Sequence, residues 1–347
     1  MTASPLVKAG ILTLILVTTS LVSWELYVRH KGFDLSYDDG PSLWSDKRAM
    51  VYEPSDKATV FIGSSRIKYD IDIDTWKYLT GEDAIQLACV GSTPLPQLND
   101  LANDSNFKGR LIVDVTEILF FSTAPPYAAT PNENIKYYQH FSPAQRASVV
   151  LDRAFESQLA FLDKDGLSLN AELKNLQIPN RPGVFEFPIF PPDFERVKFN
   201  RQSYMTDAFV ADSNHVNQVR GIWYWLHTIS KDPPMSGAPL DSLLNVVKTD
   251  VDKIEARGGT VLFTRTPSSG PFLMGETMGY PRANYWDKIL AVTHCLGVFF
   301  ADYPAIAHFE CPEFSHLKQS DAIIYTKNLI KILSEEKGWK FPKPIQL

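Results

Sequence analysis

The feature that most constrains the fold is a short apolar run that ends abruptly in small polar residues. Residues 60–62 are Val-Phe-Ile, and residues 63–65 are Gly-Ser-Ser. A β-branched and aromatic run of this length predicts a buried strand, and the glycine and serines predict a tight turn after it. Open α/β sheets bind ligands at the carboxyl ends of their strands. Ser65 is therefore expected at such an edge, where a serine can serve as a nucleophile.

A serine hydroxyl is a weak nucleophile, so this interpretation requires a base elsewhere in the chain. The segment 311–317, Cys-Pro-Glu-Phe-Ser-His-Leu, places Glu313 three residues before His316. At that spacing the carboxylate can accept a hydrogen bond from the imidazole and fix its tautomer. Ser65, His316 and Glu313 are thus the candidate nucleophile, base and orienting acid. The alternative nucleophile and base are Ser64 and His308.

Strands and helices alternate along much of the chain. Strands are predicted over 59–62, 84–90, 110–116, 260–264 and 298–300. Helices are predicted over 72–80, 93–101, 284–296 and 318–337, with another between 239 and the Arg-Gly-Gly stop at 257–259. This alternation indicates an α/β protein with a doubly wound parallel sheet.

The amino terminus predicts a membrane anchor over residues 1–31. The sixteen residues from Ala9 to Trp24 carry no charge, and a membrane-spanning helix needs about 20 apolar residues. Counting from Leu6 to Val28, with Lys8 reaching back to the interface, satisfies that length. A cleaved signal peptide is the alternative. The short leading tail before a long domain favours export of that domain.

The rest of the chain is predicted to comprise a linker over 32–57 and the α/β domain over 58–347. Residues 122–234 interrupt that domain, because proline and aromatic residues are dense there and the strand-helix alternation is lost. Two helices are predicted within this insertion, over 143–162 and 215–230. The second carries Trp223, whose aromatic neighbours either pack on the core or form a substrate lid, a membrane-facing surface or a partner-facing surface.

Charge and cysteine content exclude several classes of function. The net charge of −6 and the absence of any Lys/Arg run argue against a nucleic-acid surface. Three cysteines are too few for a metal site or a disulfide framework, so no metal and no cofactor is implied. Cys89 and Cys295 are predicted to be buried thiols, and a bridge between Cys295 and Cys311 stays open.

These motifs together resemble the SGNH (GDSL-type) hydrolase superfamily. The resemblance lies in Gly-Ser-Ser at 63–65 after the first strand, Gly91 after the second, and Glu313-x-x-His316 near the end. It implies a three-layer αβα, flavodoxin-like fold, with Ser65 as nucleophile, His316 as base and Glu313 where the family usually has Asp. It also implies that the backbone N–H groups of Ser65 and Gly91 form the oxyanion hole.

The third strand departs from the family pattern. The family's asparagine, a side-chain oxyanion donor, is missing, and Asp114, Thr116 and Glu117 stand near its place. Thr116 is the candidate substitute donor. The two carboxylates must point away or be paired, for example with Arg66 or Arg265, because negative charge opposes a developing oxyanion.

Three arginines are candidate substrate-binding residues because a guanidinium binds anionic and carbonyl groups. They are Arg66, Arg265 and Arg282. The alternative is that they pair with acidic side chains such as Glu276 or Asp302.

The closest resemblance is to membrane-anchored SGNH-like proteins of bacterial envelope-polymer O-acylation systems. It implies a single-pass protein of the bacterial cell membrane whose carboxy-terminal domain is extracytoplasmic. The implied activity is that of a serine esterase or O-acyltransferase on acyl, most simply acetyl, esters of an envelope polysaccharide. The other function left open is a non-catalytic accessory protein that binds the polymer or a membrane-bound O-acyltransferase partner.

Overall fold

The structure is a computed structural model, and it describes residues 4–52, 58–169, 171, 173, 188–191, 193–229 and 233–343. The chain divides into two compact units. One comprises residues 1–38 and 147–187, and the other comprises residues 39–146 and 188–347. The predicted insertion over 122–234 is therefore shared between the units.

The described helices and strands are numbered in chain order. The helices are α1 (Pro5–His30), α2 (Pro41–Ala49), α3 (Ser65–Asp70), α4 (Ile73–Thr80), α5 (Leu95–Asn103), α6 (Glu117–Phe120), α7 (Pro125–Gln139), α8 (Pro143–Glu156), α9 (Lys164–Leu167), α10 (Asp207–Ala211), α11 (Ser213–Ile229), α12 (Gly237–Glu255), α13 (Gly270–Gly279), α14 (Trp286–Thr293), α15 (Pro304–Ala307) and α16 (Gln319–Glu335). The strands are β1 (Thr59–Ile62), β2 (Ala84–Gln86), β3 (Arg110–Asp114), β4 (Arg196–Val197), β5 (Ser203–Tyr204), β6 (Thr260–Arg265) and β7 (Leu296–Phe299).

The second unit is built on a five-stranded parallel sheet in the order β2-β1-β3-β6-β7. The short strands β4 and β5 form a separate antiparallel pair. The α/β class and the parallel sheet are thus confirmed. Because β2 and β3 lie on opposite sides of β1, the chain reverses direction across the sheet at β1. This reversal opens a crevice at the carboxyl ends of β1 and β3, which is where such sheets bind ligands.

Helices cover both faces of this sheet. Val60 and Ile62 point into a core shared with α5, α12 and α14, whereas Phe61 points into a core shared with α4 and α16. All four residues of β1 are fully buried, as expected for a parallel strand covered on both sides. Burial on both faces also fixes the strand register, and this in turn fixes the position of the turn that follows.

The segment predicted as a linker is instead partly folded onto the sheet unit. Residues 41–49 form α2, and Met50–Tyr52 form a 3₁₀ turn. Trp44 is fully buried, and its indole N–H donates to the Leu87 carbonyl at 2.9 Å. A tryptophan buries a large apolar area, so α2 belongs to the core of this unit.

The three cysteines are buried and free. The prediction of buried thiols for Cys89 and Cys295 is confirmed, and the Cys295–Cys311 bridge is not formed. Burial raises the pKa of the Cys295 thiol to about 12, so this thiol stays protonated and unreactive at neutral pH.

The first unit begins with α1, which is 26 residues long. Among the described residues, only α1 is long and apolar enough to span a membrane. Its carboxyl end is held by polar contacts: the Glu25 carboxylate accepts from the N–H groups of Ala160 and Phe161 at 3.0 and 3.1 Å, and Arg29 donates to the Gln158 carbonyl at 2.9 Å. The last turns of α1 are therefore packed within the unit.

Candidate active site

The turn after β1 brings Ser65 to the carboxyl edge of the sheet. A Cβ atom on Gly63 would lie 2.6 Å from Ile67 and 2.7 Å from the Cβ of Asp114, so only glycine fits where β1 and β3 pass so closely. Ser64 is the N-cap of α3, and Ser65 is its first residue. The first N–H groups of a helix have no partner within the helix, so the Ser65 N–H is not used by α3 itself.

Ser65, His316 and Glu313 form a continuous chain of hydrogen bonds. The Ser65 Oγ lies 2.8 Å from His316 Nε2, and His316 Nδ1 lies 2.9 Å from Glu313 Oε1. Glu313 and His316 are buried, whereas Ser65 is partly exposed. An ionised carboxylate only accepts hydrogen bonds, so Nδ1 carries the imidazole proton and Nε2 is left to accept from the serine hydroxyl.

The Glu313 carboxylate is bonded by several N–H donors. Its Oε1 also accepts from the backbone N–H groups of His316 at 2.6 Å and Ser315 at 3.3 Å. Its Oε2 accepts from the indole N–H of Trp223. A buried carboxylate requires such donors to remain charged. The turn over 313–316 therefore supplies a charged, fixed acceptor for the imidazole despite the extra methylene of Glu relative to Asp.

Aromatic side chains surround the imidazole and restrict its orientation. The ring centroids of Tyr69, Phe194 and Trp223 lie 4.4, 5.9 and 6.1 Å from that of His316. Burial raises the pKa of the Tyr69 hydroxyl well above its ordinary value, with the charges of Glu195 and Glu313 adding to the effect. Tyr69 is therefore neutral and serves as packing for the imidazole.

Helix α11 also holds the loop that carries the histidine. The Arg220 guanidinium donates to the Pro312 carbonyl at 2.6 and 3.0 Å and lies 4.5 Å from the Phe314 ring. Phe314 has a φ of +81°, a conformation that most residues avoid and that these contacts stabilise. Sequence reasoning missed Arg220 and the indole contact of Trp223, because both act across about 90 residues of sequence.

The second serine of the turn belongs to a different network. The Ser64 hydroxyl is buried 2.6 Å from that of Thr116, and Thr116 donates to Asp114 Oδ2 at 2.9 Å. Asp114 Oδ1 accepts from the N–H and hydroxyl of Thr266 at 3.3 and 3.2 Å. The buried Thr116 hydroxyl is thus engaged by both Ser64 and Asp114, which counts against the expectation that it supplies an oxyanion donor. Among the described residues, the partners of the Ser64 hydroxyl are Thr116 and the N–H of Arg66, and neither is a base.

Two of the three candidate substrate-binding arginines are buried in ion pairs. Arg66 and Arg265 both pair with Glu276, and Arg265 Nε also lies 3.1 Å from Glu117. Burial alone would raise the pKa of Glu276, but the two guanidinium groups outweigh it and hold that pKa below its ordinary value. The alternative of pairing with Glu276 is thus confirmed for Arg66 and Arg265, and both guanidinium groups are buried.

Two other acidic groups of this region have pKa values above their ordinary range. Burial raises the pKa of Asp114, although Arg66 opposes the shift, and it raises the pKa of Asp70 well above its ordinary value. Asp70 Oδ1 accepts from the N–H of Leu317 at 2.9 Å. Asp70 thereby fixes the residue that follows His316.

The remaining candidates lie at the periphery of the site. Gly91 is exposed and has a φ of +61°, in the turn where the Cys89 N–H donates to the Gly63 carbonyl at 3.2 Å. Arg282 is exposed and pairs with Asp302 at 2.5 and 2.8 Å, which supports its alternative role as an ion-pair partner. His308 is exposed and lies 3.1 Å from the Pro304 carbonyl, so the structure favours His316 over His308 as the base.

At Ser65, a serine hydroxyl lies next to a histidine that Glu313 orients. This arrangement is suited to attack by the serine on a carbonyl carbon. In the described part of the chain, no group of three or more His, Cys, Asp or Glu residues is placed to hold a metal ion. No family model matches the sequence, and no curated protein is significantly similar to it.

Proposed function

We propose that the protein is a membrane-anchored, extracytoplasmic serine esterase or O-acyltransferase of the SGNH type. Its substrates are acyl esters, most simply acetyl esters, of an envelope polysaccharide or a related polymer. The observation that carries the chemical part of this proposal is the hydrogen-bonded chain Ser65–His316–Glu313 at the crevice between β1 and β3. The strand order, which is flavodoxin-like, and the motif order along the chain support the SGNH assignment.

In the first half of the reaction, Ser65 Oγ attacks the ester carbonyl while His316 Nε2 takes the hydroxyl proton. Glu313 stabilises the resulting imidazolium through Nδ1. The tetrahedral intermediate then collapses, the C–O bond of the ester breaks, and the departing alcohol takes the proton from Nε2. The acyl group is left on Ser65.

In the second half, an acceptor hydroxyl gives its proton to His316 and attacks the acyl-serine. The ester bond to Ser65 breaks, and Ser65 regains the proton. Water as the acceptor releases the free acid and makes the protein an esterase. A sugar hydroxyl as the acceptor forms a new ester and makes it a transferase.

The oxyanion is stabilised in this proposal by the backbone N–H groups of Ser65 and Gly91. The N–H of Ser65 is available at the start of α3, and Gly91 lies in the turn that the Cys89–Gly63 hydrogen bond holds at the same edge. Thr116 is engaged by Asp114 and Ser64, so it does not fill the place of the family's side-chain donor. Because one oxyanion donor is worth roughly 100- to 1000-fold in rate, we expect slow turnover.

The test is hydrolysis of a chromogenic short-chain ester by the full-length protein and two matched variants. We expect Ser65→Ala to lower turnover by on the order of 10³-fold or more. Ser64→Ala removes the adjacent hydroxyl, which has no base, and should retain most of the activity. Equal turnover in the parent and in Ser65→Ala would exclude Ser65 as the nucleophile.

A second function is favoured by one specific observation. The missing oxyanion donor fits a non-catalytic accessory protein that binds a polymer or a membrane-bound O-acyltransferase partner. In that case the parent would hydrolyse no short-chain ester, and Ser65→Ala would leave polymer acylation in cells unchanged.

A further inference from the structure

Helix α8 exposes an apolar face that the ester chemistry does not use. Within residues 147–156 the pattern Ala147, Val150, Leu151, Ala154 and Phe155 follows i, i+3, i+4, i+7, i+8, so these side chains share one face of the helix. The three large ones are exposed by 68% at Val150, 59% at Leu151 and 56% at Phe155. A soluble helix normally turns such a face toward its own core.

The opposite side of α8 is its less exposed side. Val149 is buried and Glu156 is half-buried, and their spacing of seven residues places them together on one side of the helix. The apolar stripe thus lies on the exposed side of the helix. This orientation requires a separate apolar environment.

The position of α8 relative to α1 identifies that environment. The chain leaves α8 at Glu156, and two residues later Arg29 of α1 holds the Gln158 carbonyl. Glu25 of α1 then caps the 3₁₀ turn at Ala160. The carboxyl end of α8 is therefore tied to the last turns of the predicted membrane span.

Those last turns lie at the level of a membrane surface when α1 spans a bilayer. The helix from Leu6 to Trp24 is about 28 Å long at 1.5 Å per residue, close to the ~30 Å of a hydrocarbon core. Trp24 and Tyr27 stack with a centroid separation of 5.5 Å, and such aromatic residues are enriched at the interface. The basic residue Lys31 follows the helix, at the level of the lipid headgroups.

We propose that α8 is an interfacial helix whose stripe of Val150, Leu151 and Phe155 inserts into the bilayer beside the anchor. An amphipathic helix held at this depth buries its apolar face among the acyl chains just below the headgroups. The partner is thus a lipid surface. The inference rests on the membrane span in the proposed function and is independent of the ester chemistry.

The experiment uses full-length protein reconstituted in vesicles of phosphatidylethanolamine and phosphatidylglycerol. A nitroxide label is attached to a cysteine introduced by Leu151→Cys, by Phe155→Cys or, as the control on the polar side, by Asp152→Cys. The native cysteines are at most 8% exposed, so the label reacts with the introduced cysteine, and the parent protein treated in the same way gives the background. Electron paramagnetic resonance then compares collisions of each label with oxygen, which concentrates in lipid, and with a water-soluble nickel chelate.

We expect oxygen to dominate at 151 and 155 and the nickel chelate to dominate at 152. Dominance of the nickel chelate at 151 and 155 would overturn the proposal, because the stripe would then face water. Protection of both positions from both reagents would also overturn it, because protein would then cover the stripe. Ester turnover by the same labelled variants reports separately on the proposed activity.

Discussion

The consecutive residues Ser64, Ser65 and Arg66 take part in two different buried networks of polar side chains. Ser65 enters the relay to His316 and Glu313, in which N–H donors bond both carboxylate oxygens. Ser64 and Arg66 enter a carboxylate network that contains Asp70, Asp114, Glu117 and Glu276. In the described part of the chain, Arg66 Nη1 and Glu117 Oε2 of that network have no hydrogen-bond partner.

The relay and the carboxylate network differ in role: the relay is arranged for catalysis, and the network is arranged to stabilise the fold. The relay holds a charged acceptor in one orientation next to a partly exposed hydroxyl, which is what base catalysis requires. The carboxylate network places four carboxyl groups against two guanidinium groups at depth, and burial raises the pKa of Asp70, Asp114 and Glu117. Changes in the relay should alter turnover, and changes in the network should alter stability.

The largest effect is expected for Glu313→Gln. The amide can still contact the imidazole but provides no negative charge for the imidazolium, so ester turnover should fall by on the order of 10³- to 10⁴-fold. The measurement is kcat/KM on a chromogenic ester, with thermal unfolding as the control for folding. If turnover stayed within a factor of a few of the parent, the relay would not differ in role from the carboxylate network, because the Glu313 carboxylate would then have only a structural role.

A smaller effect is expected for Trp223→Phe. This change removes the donor to Glu313 Oε2 and keeps an aromatic ring against the imidazole, so we expect a loss of about three- to ten-fold. The loss should fall in kcat with little change in KM, because the indole touches the acid and not the substrate. The matched control is Tyr224→Phe on the exposed side of α11. Equal kinetics in both variants would remove Trp223 from the relay.

Thr116→Val tests the carboxylate network. Valine removes the buried hydrogen bonds of Thr116 to Asp114 Oδ2 and to the Ser64 hydroxyl, so the free energy of unfolding should fall by about 1–3 kcal/mol. Turnover should stay within about three-fold, compared with the roughly 100-fold loss expected when an oxyanion donor is removed. Urea unfolding and ester kinetics on the same preparation decide whether Thr116 stabilises the fold or acts as an oxyanion donor. A large kinetic loss at unchanged stability would return Thr116 to the oxyanion hole.

The smallest effect is a pH dependence at Asp70. The unfolded chain releases this proton near pH 4, while the folded chain retains it because burial raises the pKa of Asp70. The unfolding free energy of the parent therefore falls as pH rises above about 4, and Asp70→Asn lacks this contribution. We expect the stability of the variant relative to the parent to rise by about 1 kcal/mol or more between pH 5 and pH 8. A difference that does not change with pH would mean that the folded chain ionises Asp70 freely.

Local signals allowed part of the fold to be predicted from the sequence. The predicted and observed bounds of β1 agree, and α4, predicted over 72–80, is observed over Ile73–Thr80 between the caps Asp72 and Gly81. Helix α3 was missed because Ile67, Lys68 and Tyr69 are all buried, so it shows no amphipathic period. Helix α7 was missed because Pro131 lies inside it, contrary to helix propensity.

The candidate site was predictable only where the topology of the sheet is decisive. The approach of Ser65 to His316 follows from the parallel sheet, because its turns meet at one edge. The partners of Arg66 and Arg265 stayed open, since a sequence does not reveal which carboxylate a buried guanidinium meets. The contact of Trp223 with Glu313 depends on how the proline-rich insertion folds, and no local pattern encodes that.

The most direct test of the distinction between Ser65 and Ser64 is the site of covalent labelling by a fluorophosphonate. This reagent phosphonylates a serine whose hydroxyl is activated by a neighbouring base, with loss of fluoride. Full-length protein is treated with the probe and digested, and tandem mass spectrometry locates the adduct within the peptide that contains both serines. We predict an adduct on Ser65 that is absent in His316→Ala and present in Ser64→Ala. An adduct on Ser64, or none on the parent protein, would contradict the account.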